Sequence, residues 1–417
     1  MTHDFITLKN GLRIIGTPMK ALRTVSVGLW VNSGSVYETP EISGISHFIE
    51  HMVFKGTHTR SARQIAEEMD AVGGLMNAYT ERECTCFYTK VVDEHLPLAM
   101  DMIADMVLNP LLDEGDIAKE KGVVLEEINM NEDTPDDLVF ELVTEANYGS
   151  QAVSRPVLGT QATVSAISRE DILAYMGERY RPERSVLSLA GNYDWDKVVA
   201  QAEKLYGDWQ NAGKTREEIL VLPHTKQILR REKDIEQSHL CIAYPGPRSG
   251  STDVYTYGII NTIMGGSMSS RLFQAIREEK GLAYSVFSTT TATMSEGMFV
   301  LYAGTSPEYA PEVARLLMSE MRRLGNDGIS EAEFGHAREQ TLSSIVMANE
   351  STSGIMQTSG RRLLMHNKLL DVDSVINDIK AVTINQVNEK AAALAASPLS
   401  AAIVGAGTQR VTDDIFA

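Results

Sequence analysis

Ser43-Gly-Ile-Ser-His47-Phe-Ile-Glu50-His51-Met-Val-Phe54-Lys-Gly-Thr57 holds two histidines four residues apart with a glutamate between them. On an α-helix, positions i and i+4 share a face, so both imidazoles reach one metal ion. Glu50 stands three residues after His47, beside the ion, where a general base takes a proton from metal-bound water. Ile45, Phe48, Ile49, Met52 and Val53 put apolar stripes on both sides of the His pair, which predicts a mostly buried helix. Burying two imidazoles and a carboxylate is costly unless they are paired or metal-bound. An amphipathic helix with two surface histidines would not need those stripes.

Zinc takes a third protein ligand, and a catalytic site keeps its fourth position for water. The run from Asp113 to Ile128 reads as a helix with Glu120, Val124 and Glu127 on one stripe, since seven residues make about two turns. Glu126 lies on another face. The expected ligand is Glu127, with Glu120 behind it as a carboxylate that orients a ligand. Read alone, the segment is equally a charged, solvated helix.

Together these residues resemble the pitrilysin and mitochondrial-processing-peptidase family of zinc endopeptidases, inverzincins with the motif H-x-x-E-H. That family pairs the motif with a downstream glutamate, itself preceded by another two helical turns earlier. His47, His51 and Glu127, with Glu50 and Glu120, fall on those positions. Gly73-Gly-Leu-Met-Asn77-Ala78-Tyr-Thr80 is similar to the family's edge strand beside the zinc. Glu132-Asp-Thr-Pro-Asp136-Asp137 and Arg277-Glu-Glu-Lys-Gly-Leu-Ala-Tyr284 extend the resemblance over nearly the whole chain.

The resemblance implies an α+β fold of two homologous α/β-sandwich halves, each a mostly antiparallel sheet with helices packed on it (LuxS and processing-peptidase-like). It implies one Zn2+ per chain, a peptide strand laid along Leu75–Thr80 near Asn77 and Ala78, and a closed chamber that admits unfolded peptides. Read without it, Arg277 is a solvated helix residue and Tyr284 a half-buried strand aromatic. The family makes the two a donor pair that holds a peptide carbonyl or its tetrahedral oxyanion from the half opposite the zinc. Double-length members enclose substrate between two such halves. A shorter chain with both sets implies a homodimer with composite sites in trans. The alternative is a heterodimer in which this chain is a partner or non-catalytic subunit.

The 417 residues are long for one core, so two domains of about 200 residues are expected. A boundary follows Asn211-Ala-Gly, giving a catalytic domain at 1–212, a linker at 213–228 and a metal-free copy at 229–417. Strand-like alternation at Val25, Val27, Leu29 and Val31 returns at Leu240-Cys-Ile-Ala-Tyr. Ser185-Val-Leu-Ser-Leu-Ala-Gly191 returns at Leu399-Ser-Ala-Ala-Ile-Val-Gly405. Ile260–Ser270 stands where the second copy would carry the motif and offers no ligand. A net charge of −18 argues against nucleic acid as a partner. No run of 18 apolar residues argues for a membrane span. Three cysteines, Cys84, Cys86 and Cys241, cannot all pair. With no signal pattern at the start, the expected location is a reducing cytoplasm.

Overall fold

A computed structural model describes residues 2–213 and 224–417; most of the predicted linker at 213–228 lies outside them. The first sheet comprises β1 (Asp4–Thr7), β2 (Arg13–Pro18), β3 (Thr24–Val31), β4 (Leu75–Thr80), β5 (Thr85–Val92) and β6 (Ser185–Gly191). Its order is β1-β2-β6-β3-β5-β4, antiparallel except for the β2–β6 pair. The second comprises β7 (Ile228–Glu232), β8 (Ser238–Gly246), β9 (Ala283–Ala292), β10 (Gly297–Thr305) and β11 (Ser400–Gly405). Its order is β7-β11-β8-β10-β9, with β7–β11 the parallel pair. Without β1, the two orders and the two parallel pairs correspond strand for strand. The predicted α+β duplication is what the chain folds into.

The terminal glycines of β6 and β11 carry the duplication down to one residue. Gly191 has φ +138 and Gly405 φ +139, a region that side-chain-bearing residues rarely occupy. A Cβ at Gly191 would lie 2.3 Å from the Thr24 carbonyl oxygen, and one at Gly405 2.5 Å from that of Gln237. In each copy the strand end thus lies tight against the start of its antiparallel neighbour, β3 or β8.

Alternation along β3 explains how the first sheet is covered. Val25, Val27, Leu29 and Val31 point into a core shared with Ile45, Phe48, Ile49, Met100 and Ile103. Ser26 and Trp30 face the other way, under the helix Thr352–His366, where the Ser26 and Thr352 hydroxyls meet at 2.9 Å. That helix comes from the C-terminal half of the sequence and lies on β3 and β6. Reciprocally, the helix Pro135–Tyr148, from the N-terminal half, lies on β8 and β11.

The compact units are therefore not the contiguous stretches 1–212 and 229–417. One holds the chain to Ile128, the described residues from Arg155 to 213, and Val346–Val372; the other holds Asn129–Ser154, the described residues from 224 to Ile345, and Asp373–Ala417. The physical reason is that each sheet has a second apolar face, and the helix that covers it is supplied by the other copy. The second unit closes its own core around Leu240, Ile242, Phe299, Leu301 and Leu317. No helix among the described residues is long and apolar enough to cross a membrane.

The exchanged helix sits close to its sheet because Gly360 has no side chain: a Cβ there would lie 2.2 Å from Trp30 Nε1 and 2.9 Å from Ser188 Cβ. Gly360→Ala is expected to destabilise the protein by about 1–3 kcal/mol through overpacking. Thermal unfolding with and without the substitution measures this, and an unchanged Tm would refute the close approach.

Candidate metal centre

The helix Ile45–Val53 is anchored at its start by a buried carboxylate. Glu38 accepts the backbone N–H of Gly44 at 2.7 Å and of Ser46 at 2.9 Å, donors that a helix start otherwise leaves unpaired. Burial outweighs those bonds and pushes Glu38 above the ordinary carboxylate range. Ile45, Phe48, Ile49, Met52 and Val53 are fully buried. His47, Glu50 and His51 are left on the remaining face.

The rings of His47 and His51 lie 4.6 Å apart. Their Nε2 atoms stand 3.7 and 3.4 Å from a single oxygen, Oε2 of Glu127. Glu127 projects from the helix Glu114–Asp133, which Val124 and Ile128 fasten into the same core. One ligand atom from each of the three residues lies within 4.8 Å of the others, and no other group of His, Cys, Asp and Glu among the described residues has metal-site geometry. Two imidazoles and one carboxylate are a donor set that a catalytic zinc uses. Burial first, then the neighbouring His51, hold His47 down to about 4. It is neutral at pH 7, with a lone pair to give.

Behind His51 stands a second carboxylate. His51 Nδ1 donates to Glu120 Oε1 at 2.9 Å, and Lys55 Nζ donates to Glu120 Oε2 at 2.6 Å. The Glu120 side chain is 6% exposed and that of Glu127 37%. Glu127 thus faces the open site, while Glu120 backs a donor and fixes its tautomer. Glu126 is exposed on another face. His47 has no such support, its Nδ1 being buried without a hydrogen-bond partner.

Glu50 Oε2 accepts the Thr80 hydroxyl at 2.6 Å. Burial pushes this carboxyl up from its ordinary value, and the Thr80 bond pulls it partly back. Glu38, Lys55 and Thr80 were not singled out as site residues by sequence reading. Only Thr80 left a trace, as the last residue of the stretch matched to the family's edge strand.

Asn77 and Ala78 lie on β4, which ends its sheet. The Ala78 N–H donates to the Asn77 side-chain oxygen at 2.8 Å and so points out of the open edge. Arg277 and Tyr284 belong to the other unit. Arg277 sits in a π-helical turn, Phe273–Glu278, where an ordinary helix was predicted, and Tyr284 is the second residue of β9. The Arg277 guanidinium carbon lies 4.8 Å from the Phe273 ring centroid and 5.1 Å from that of Tyr284. Tyr284 is 80% exposed rather than half-buried, because β9 is an edge strand and leaves its first ring uncovered.

Comparison with known proteins gives the family. Residues 17–161 match the insulinase domain of peptidase family M16, and residues 166–341 match the peptidase M16 inactive domain. An uncharacterized zinc protease of Bacillus subtilis, YmxG, is 41% identical over 382 residues, covering 92% of this chain and 93% of that protein. An uncharacterized zinc protease of Streptomyces coelicolor is 36% identical over 410 residues, covering 96% and 88%. The fold is shared with a protease from Helicobacter pylori, at a TM-score of 0.90 and 20% identity over 97% of this chain and 99% of that one. This chain, then, belongs to the insulinase family of peptidases, M16.

Proposed function

We propose that the chain is a zinc-dependent endopeptidase that cleaves unfolded peptides, with His47, His51 and Glu127 as the metal ligands and Glu50 as the general base. The observation that carries this reading is the convergence of His47 Nε2 and His51 Nε2 on Glu127 Oε2 beside a half-buried Glu50. A zinc ion held there supplies a Lewis acid that polarises the scissile carbonyl and acidifies a water.

Glu50 takes one proton from the attacking water and hands it to the leaving amine as the C–N bond breaks. Thr80 holds Oε2, so Oε1 is the atom free to accept the proton. The raised proton affinity that burial gives Glu50 suits a group that must both take and return it. The substrate strand adds to the open edge of β4 by backbone pairing. Asn77 yields the Ala78 N–H to it. Arg277 and Tyr284 supply donors for a substrate carbonyl or its oxyanion, and a homodimer brings them in trans to the partner's metal centre, around a chamber closed to folded proteins.

Glu50→Gln is expected to abolish cleavage of an unfolded peptide, read by mass spectrometry, while zinc content stays at one per chain. Persisting activity would remove Glu50 from its role. His47→Ala, His51→Ala and Glu127→Ala should each lose the zinc, measured by metal analysis after dialysis. Glu120→Ala should weaken zinc affinity or activity by about ten- to a hundredfold. Full occupancy in Glu127→Ala would disprove its place as a ligand.

The trans arrangement is tested by mixing Glu50→Gln subunits with Tyr284→Phe subunits under exchange. Each parent should be nearly inactive, and the mixed dimer should recover activity from its one intact site. No recovery despite proven exchange would refute it.

A further inference from the structure

Successive residues of β4 point to opposite faces of the sheet. Thr80 pairs with Thr85, which pairs with Val31, on the face that looks into the core and toward the helix Ile45–Val53. Tyr79 pairs with Cys86, which pairs with Trp30, so these three share the opposite face, under the helix Thr352–His366. There the Tyr79 hydroxyl donates to Gln357 Oε1 at 2.6 Å, and the Tyr79 ring meets Trp30 edge-on at 5.9 Å. One residue beyond Thr80, Glu81 forms an ion pair with Arg361. Gln357 and Arg361 are four apart and share one face of that helix.

Thr80, the residue that holds Glu50, is therefore bracketed by two neighbours that are each tied to one helix. The ties span 278 and 280 residues of sequence. Without them β4 is an edge strand paired on one side only, the kind of element that opens locally at little free-energy cost. The Glu81–Arg361 pair is partly solvent-exposed, so its worth as net stability is small. What it fixes is position. A displacement of about 1 Å at a reacting group can cost roughly a hundredfold in rate.

We propose that Gln357 and Arg361 are positioning residues for the general base: the exchanged helix holds the end of β4 still, and through Thr80 it fixes the Glu50 carboxylate. The inference rests on the reading of Glu50 given above. It assigns the exchanged helix a role in the chemistry besides covering the sheet.

The test uses the full-length protein carrying Gln357→Met and Arg361→Met together, since methionine keeps the apolar contacts of both stems. Zinc content should match wild type. The kcat for an unfolded peptide should fall by about tenfold or more, and KM should change by less than about threefold. Amide exchange across Leu75–Glu81 should quicken by about tenfold while that of β6 stays unchanged. Gln357→Glu and Arg361→Lys, which retain an acceptor and a cation, should restore both readouts. Tyr79→Phe, which removes one hydroxyl and nothing else, should shift both in the same direction should the double variant fold poorly.

A kcat within twofold of wild type, an unchanged exchange rate at β4, or failure of the conservative variants to restore function would each overturn the proposal. Failure of the wild-type protein to cleave any peptide would instead strike the Glu50 reading. The exchange experiment would still decide whether the helix holds the strand.

Discussion

Three electron-pair donors, His47 Nε2, His51 Nε2 and Glu127 Oε2, face one another within 4.8 Å on two helices that a common core locks in place. Donors brought so close repel unless protons or a cation lie among them. His47, held down to about 4, is a poor proton carrier at neutral pH. The arrangement is bought at a cost in folding free energy that a bound divalent cation returns. Around it, the fold supplies what such a site needs. Glu38 pins the start of the helix Ile45–Val53, Glu120 bonded to Lys55 holds the His51 imidazole, and β4 brings Thr80 against Glu50.

How much of this the sequence discloses depends on the range of the contact. His47 and His51 are one helical turn apart, and Glu120 and Glu127 about two, so the 3.6-residue period is enough to put each pair on one face. The family motif then joined the two helices. The duplication was legible through paired strand ends, Gly191 and Gly405, whose matched φ angles mark one backbone turn used twice.

What stayed hidden was non-local or conformational. Periodicity along Thr352–His366 marks an apolar face without saying which sheet it will cover, so the exchange of helices could not be read. The roles of Lys55 and Thr80 were hidden because a single lysine or threonine has no pattern; only the folded pairing of helix and strand sets them against carboxylates. The π-helical turn at Phe273–Glu278 was likewise invisible, since its residues suit an ordinary helix as well.

The second copy repeats one tie of the first without its carboxylate. In the first copy the helix after β3 is tied to the edge strand β4 by Glu50 and Thr80. In the second, the helix Asp253–Met264 after β8 is tied to the edge strand β9 by Asn261, whose side-chain oxygen accepts the Ser288 hydroxyl at 2.8 Å. Both copies thus use a side-chain hydrogen bond to hold this helix to its edge strand. A neutral amide does that as well as a carboxylate, because the hydroxyl needs only an acceptor. A carboxylate at that point is costlier, since burial penalises its charge. The first copy bears that penalty at the helix that carries His47 and His51, while the second, with no ligand beside it, has a neutral group there.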